Sequence, residues 1–260
     1  MPYTSIFTSI INVYLPEPHS SLLNGILFGI PLNHKTEFYA QVHRTGLLHI
    51  VVLSGTNITL LAAMVGAVTC FVSKKISTII TIMTIVIFIW FVGPAPPIIR
   101  AGVMGVLAHM AILYRRSTIP LLLLFVSAII TGIFWFPWLS TVSFQLSYGA
   151  TLGLILLKSP KQAKTSPIVA ELWPSLAASF FTVPIIFFTF KEVSVVAPLA
   201  NLAVSFIIGP LMLIGFLTAI LGKIHFLLGA VPAYLAYVML SYMIFIIQTI
   251  SSIPYTFFTF

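Results

Sequence analysis

Arg100 is an arginine placed where a hydrophobic helix should begin. It follows Gly93-Pro94-Ala95-Pro96-Pro97, a stretch that breaks helices, and opens an apolar run over 98–114. An arginine at a membrane helix centre costs about 2.5–3.5 kcal/mol on insertion scales. A place near the helix end lowers that cost by snorkelling. Two roles follow, an interfacial anchor or a cation lining the outer mouth of a polar path. Behind it Ala101, Gly102, Gly105 and Ala108 form a small face that permits close helix approach. Ser143, Ser147 and Thr151 recur at i, i+4 and i+8, which puts three hydroxyls on one helical face. Gln145, Gly149 and Gly153 lie on another face, the two glycines as a GxxxG pair. The polar tetrapeptide Ser54-Gly55-Thr56-Asn57 interrupts a long apolar run. Non-helical backbone at membrane depth survives only where protein or a water-filled cavity covers it. Asn201 stands alone in another apolar run and needs a partner inside the bundle.

Other chemistries find little support. His19, His34, His43, His49, His109 and His225 form no HxH or HxxxH pair. A zinc site needs three or four converging ligands. Lone histidines in membrane helices read as hydrogen-bonded packing residues. A serine nucleophile at Ser54 with His109 or His225 as base would require the two to meet in space, and no oxyanion-hole pattern accompanies them. Gly222-Lys223 lacks the leading glycine and the following Ser or Thr of a Walker motif. Cys70, the one cysteine, excludes an internal disulfide framework.

The elements that must position these residues are helices in a membrane. Of 260 residues, 60% are hydrophobic and 6% charged, against about 25% charged in a soluble domain. The apolar runs are too continuous for barrel strands, which alternate residue by residue. Eight segments are expected at 47–72, 76–92, 98–114, 119–136, 139–157, 168–190, 193–222 and 225–250. The fold class is therefore all-α, a polytopic helical membrane protein with about 7–8 transmembrane segments. Four segments are short of the ~20 residues that a crossing needs. Broken or re-entrant helices are expected near 54–57 and at Gly209-Pro210, where proline removes a backbone hydrogen bond. Residues 1–46 read as an N-terminal interfacial or re-entrant segment and 47–260 as the transmembrane core. Trp90, Trp135, Trp138 and Trp173 fall near segment ends, as aromatic belts do.

If all eight segments cross, Lys74, Lys75, Arg115, Arg116, Lys158, Lys161, Lys164 and Lys223 fall on one side. Lys35, Arg44, Arg100 and Lys191 fall on the other, with Glu17, Glu37 and Glu192. The positive-inside rule makes the first side cytoplasmic and puts both termini outside. The net charge of +8 thus has a topological explanation before any polyanionic partner is invoked.

Taken together, the motifs resemble the ComEC type of competence family, the inner-membrane DNA-uptake channels of bacterial transformation. The resemblance starts at Leu15-Pro16-Glu17-Pro18 and Leu22-Leu23-Asn24-Gly25-Ile26-Leu27-Phe28-Gly29. It continues from Arg44 through His49 to Ser54-Gly55, then at Arg100-Ala101-Gly102-Val103-Met104. Phe144 to Leu154 and Pro198-Leu199-Ala200-Asn201-Leu202 complete it, over about residues 15–222. The family usually follows Ser-Gly with a hydrophobic residue and a histidine, where this chain has Thr56 and Asn57. It usually places a proline soon after the Asn-Leu motif, where this chain has Ser205 and Phe206 before Pro210.

The resemblance implies a bacterial plasma-membrane channel that imports single-stranded DNA, not an enzyme, with no cofactor and no metal. The chain is expected to be the transmembrane core, without the OB-like and metallo-β-lactamase-like domains of longer relatives. The DNA path would run past Arg44, His49 and Arg100 on the outer side, and past Ser54, Asn57, Gln145, Ser147 and Asn201. Expected partners are single-stranded DNA, the lipid bilayer, a DNA receptor outside, and an ATP-driven translocase or strand-binding protein inside. An oligomer is compatible with this reading. The alternative is a secondary transporter of a smaller anionic or lipid-linked solute, built on the same broken helices.

Overall fold

The protein is described from a computed structural model. It covers residues 4–51, 54–157, 167–194, 196–253 and 257–259, with the side chains of 49, 50, 167–171, 190, 192, 193 and 257–259 outside the description. The fold is all-helical apart from one small ribbon. Helices α1 (Thr4–Tyr14), α2 (His19–Phe28), α3 (Glu37–Arg44) and α4 (Leu48–Val51) come first. Then follow α5 (Gly55–Val68), α6 (Lys74–Val92), α7 (Pro96–Leu113), α8 (Pro120–Phe134), a 3-10 turn (Phe136–Ser140), α9 (Val142–Leu156) and α10 (Pro167–Phe190). Helices α11 (Ala197–Ile224) and α12 (Phe226–Ser251) close the chain. Strands β1 (Glu192–Ser194) and β2 (Phe257–Thr259) pair antiparallel, with Val193 opposite Phe258.

Among the described residues, five helices are long and apolar enough to cross a membrane: α6, α7, Leu172–Thr189 within α10, α11 and α12. The apolar helices α5, α8 and α9 are shorter. Fifteen residues, the length of α8 and of α9, reach about 22 Å at 1.5 Å each, less than a hydrocarbon core of about 30 Å. Local sequence sets these ends. Ser73 caps α6, its hydroxyl accepting the Ile76 N–H at 3.3 Å. Gly93, at φ +100°, ends α6 while its N–H donates to Ile89 O at 2.8 Å. Pro96 and Pro97 then start α7, where a missing N–H costs nothing. Thr141 caps α9 by accepting the Phe144 N–H.

The expected interruption near 54–57 is present, with a shifted role for the tetrapeptide. Ser54 is the extended residue before α5, and Gly55, Thr56 and Asn57 form the first turn. The break expected at 209–210 is absent, a correction. Helix α11 runs through Gly209-Pro210 as one 28-residue helix. One lost hydrogen bond does not end a helix whose flanking Ile207, Ile208, Leu211 and Met212 are all buried.

The chain forms two compact units, residues 1–53 with 192–260, and 54–191. In the first, α11 and α12 pair along their length, and α1, α2 and α3 pack on them. Helix α2 is buried at Leu22, Leu23, Ile26 and Leu27. The close approach of α11 to α2 requires Gly215, because a Cβ there would lie 2.9 Å from both Leu23 and Leu27. Tyr14 stacks on Phe226 and donates its hydroxyl to Phe226 O at 2.7 Å, which anchors α1 at the α11–α12 turn. In the second unit α7 is central and touches α5, α6, α8 and α9, while α10 lies on α9. Buried hydroxyls return their bonds to their own helices: Thr81 to Ser77 O, Ser127 to Leu124 O, Thr131 to Ser127 O. The outer faces are apolar, with Phe125 63% and Phe188 82% exposed. Such a face suits lipid and not water.

Candidate functional site

Five of the sequence-predicted residues, Ser54, Asn57, Arg100, Gln145 and Ser147, belong to the second unit, where Arg100 joins Ser147 to Gly55, the residue after Ser54. The residue that starts α5 is a glycine because a guanidinium lies against it. A Cβ at Gly55 would collide with Nη2 of Arg100, and would lie 3.2 Å from its Cζ and 3.1 Å from Ala101 Cβ. Arg100 projects from the second turn of α7 and donates from Nη1 to the carbonyl of Ser147 and the hydroxyl of Thr151, both on α9. Its Nε is buried without a partner. Thr151 in turn donates to Ser147 O at 3.0 Å. The Arg100 head is thus turned inward across three helices and does not reach outward as an interfacial anchor. Helices α5, α7 and α9 contain no Asp or Glu.

The small face behind Arg100 packs as its residues suggest. Gly102 abuts the Ile89 side chain, and a Cβ at Gly105 would meet Ile85 at 3.4 Å, both on α6. The GxxxG pair of α9 faces α10. A Cβ on Gly149 would meet Ile185 at 3.3 Å, and one on Gly153 would strike the backbone carbonyl of Ala177. Tyr148, buried beside them, shares a 3.1 Å hydrogen bond with Thr131 of α8.

At the start of α5, Ser54 donates to Asn57 Oδ1 at 3.2 Å, and its oxygen accepts no N–H of the first turn. Asn57 is buried and its N–H donates to Ser54 O at 3.1 Å. Gln145 is exposed two residues before Ser147 on α9. The remaining candidates belong to the first unit. Arg44 is exposed at the end of α3, and its carbonyl accepts the Ser194 hydroxyl at 2.9 Å. Asn201 lies half-buried in α11 and makes no side-chain hydrogen bond to the described residues. The side chain of His49 lies outside the described residues.

Sequence reasoning did not single out Gly55 as a contact glycine, nor Thr151 as a partner of Arg100. The spacing of Thr151 from Ser147 was the available signal. His19, His109 and His225 serve packing. His109 Nδ1 lies 2.8 Å from Gly105 O, and His225 Nδ1 accepts the Leu227 N–H that starts α12. His19 Nε2 lies 3.0 Å from Ser241 Oγ, with its ring stacked on Tyr237. Burial pushes the His19 pKa below the ordinary imidazole value, which keeps it neutral at pH 7. Among the described residues no three His, Cys, Asp or Glu side chains converge as a metal site would require.

A helical fold with five apolar spans among the described residues, and a cation turned inward among its helices, defines a polytopic membrane protein with a polar interior site. The family model described as Competence protein matches residues 26–260, and the chain belongs to that family. It is 24% identical over 204 residues to ComE operon protein 3 of Bacillus subtilis (strain 168). That match covers 76% of this chain and 26% of the relative, so the chain spans about a quarter of the relative's length. No solved structure matches the chain.

Proposed function

We propose that this chain forms the membrane path by which single-stranded DNA is imported during competence. The match to the Competence protein family over residues 26–260 carries this reading. The site around Arg100 supports it: single-stranded nucleic acid is handled by cations that track phosphates, and this cation has no carboxylate on its own three helices. The uncharged groups beside it, Ser54, Asn57 and Ser147, would let a polyanion pass without trapping it. The path is proposed to include Arg44, His49, Gln145 and Asn201 as well. A secondary transporter with paired broken helices is disfavoured, because α11 is continuous at Pro210.

The chain is proposed to sit in the bacterial plasma membrane with both termini outside. Lys74 and Lys75 open α6 and Arg115 and Arg116 follow α7, so these four cations mark one end of the α6–α7 pair. Arg115 takes φ +53° there, a left-handed position usually given to glycine. Single cysteines near Lys74, Arg115 or Lys161, in a Cys70→Ala background, should resist an impermeant thiol reagent applied to intact cells. Labelling of those sites from outside would reverse the topology.

Import needs an outside source of energy. The cell interior is negative, and each phosphate crossing the full field costs about 2.3 kcal/mol per 100 mV. A strand carries one charge per nucleotide, so the cost grows with length. The chain therefore works as a passive or proton-coupled conduit, with an ATP-driven translocase or strand-binding protein inside and a DNA receptor outside. Liposomes carrying the purified chain should admit a labelled single strand at inside-positive potential and exclude a duplex of equal length. At inside-negative potential with no motor and no proton gradient they should accumulate none. Exclusion of the single strand in the first case contradicts the conduit, and accumulation in the second contradicts the dependence on a partner.

A further inference from the structure

The start of α5 brings several positive groups together, and α5, α7 and α9 carry no carboxylate to match them. The first N–H groups of a helix have no intrahelical acceptor and carry the positive end of its dipole. Ser54 does not cap them with its side chain, which donates to Asn57 Oδ1. The N–H groups of Gly55 and Thr56 have no acceptor among the described residues. Arg100 lies beside the first residue of this helix, with Nη2 at the position a Cβ of Gly55 would take. A cation on the positive end of a helix is repelled, and α5, α7 and α9 supply no carboxylate to relieve it. Both hydrogen bonds of the guanidinium leave from Nη1, which aims the Nε–Nη2 edge away from α9. Nε is buried and unpaired. That edge is the one by which arginine takes two oxygens of a phosphate or carboxylate side by side. Glycine at 55 keeps the backbone close enough for its N–H and the guanidinium to share one ligand.

We propose that Arg100 and the first turn of α5 form an oxyanion site that holds one phosphodiester group of the transported strand. This rests on the conduit reading above. The ligand meets the Nε–Nη2 edge of Arg100 and the N–H groups of Gly55 and Thr56, as phosphates meet helix N-termini elsewhere. Thr151 and the Ser147 carbonyl hold the opposite side of the guanidinium and set its direction; Thr151 is a positioning residue. A single cation of this kind binds one phosphate at a time, which suits a stepping place in a path and not a trap.

The test uses the purified full chain in detergent, with thermal unfolding followed at constant ionic strength. The probes are dimethyl phosphate, a monoanionic diester, and trimethyl phosphate, its neutral analogue. Dimethyl phosphate should raise the unfolding midpoint along a saturable curve, and trimethyl phosphate should not. Arg100→Lys should weaken the half-saturating concentration about tenfold or more, the loss expected for one or two hydrogen bonds to a charged group. Thr151→Val should weaken it by a smaller factor while leaving the protein folded. No saturable rise in the natural chain, an equal rise with trimethyl phosphate, or unchanged affinity in both variants overturns the site. Liposome passage separates the two claims. A chain that passes single strands but fails this titration retains the conduit and loses the site; one that binds the diester and passes no strand does the reverse.

Discussion

Replacing Arg100 by methionine is expected to cut strand passage sharply while leaving the protein as stable as before or more so. The reasoning is electrostatic. The Arg100 guanidinium is turned inward, its Nε unpaired, with no carboxylate on α5, α7 or α9. An inward cation without a counter-charge costs more than a methionine of similar shape, and replacing buried ionic groups with apolar ones is often neutral or stabilising. No acceptor is orphaned by the change, because Ser147 O still accepts from Thr151 at 3.0 Å. Passage should fall about 10–100-fold, the factor set by losing hydrogen bonds from a charged donor to phosphate. The flux of labelled strand into liposomes and the unfolding midpoint are measured on the same preparation. A stable protein with lost flux supports a functional cation. A destabilised protein whose remaining folded fraction passes strands normally would make Arg100 a helix clamp and nothing more.

The second large effect is structural and concerns α9 against α10. Gly153→Ala should destabilise the protein by about 1–3 kcal/mol, the usual cost of forcing an extra carbon into a packed contact. The added Cβ would strike the Ala177 carbonyl and lie 3.1 Å from Phe181. A backbone carbonyl cannot turn aside without moving its helix. Gly149→Ala, one turn earlier, should be much milder, since its nearest neighbour is Ile185 Cδ1 at 3.3 Å, the end of a flexible side chain. Gly66→Ala in α5 meets nothing within 4 Å and should stabilise the helix by up to about 1 kcal/mol. Unfolding midpoints in one detergent give the order directly. Equal effects at 149 and 153 would mean that α9 and α10 do not pack through this glycine face.

These expectations differ in how far the residues alone announce them. Hydropathy placed the apolar helices well, because lipid demands long runs and tolerates few charges. The segment expected at 98–114 is observed as Pro96–Leu113, and that at 225–250 as Phe226–Ser251. The glycine pair of α9 was legible as a packing face because small residues at i and i+4 have few other uses in a membrane helix. Pro210 misled, since a proline marks a lost hydrogen bond and the packing around it decides whether the helix ends. At the site, Arg100 was conspicuous by its charge, and the Ser147–Thr151 face by its spacing. That the two meet was not legible. It depends on how α7 lies against α9, a tertiary fact with no local signature. Gly55 was likewise unreadable, because its reason is a side chain 45 positions away.

The central claim, that a single strand of DNA passes beside Arg100 and the first turn of α5, is tested most directly by capture in passage. Thr56 carries an exposed side chain on that turn, so a photoreactive amino acid at position 56 would face whatever moves past it. The same group at position 125 replaces an outward-facing phenylalanine of α8. During inside-positive uptake into liposomes, a labelled single strand should crosslink at position 56 and not at 125, and unlabelled single strand should compete it away. Crosslinking that is equal at both positions, or absent at 56 while strands still enter, would contradict the account.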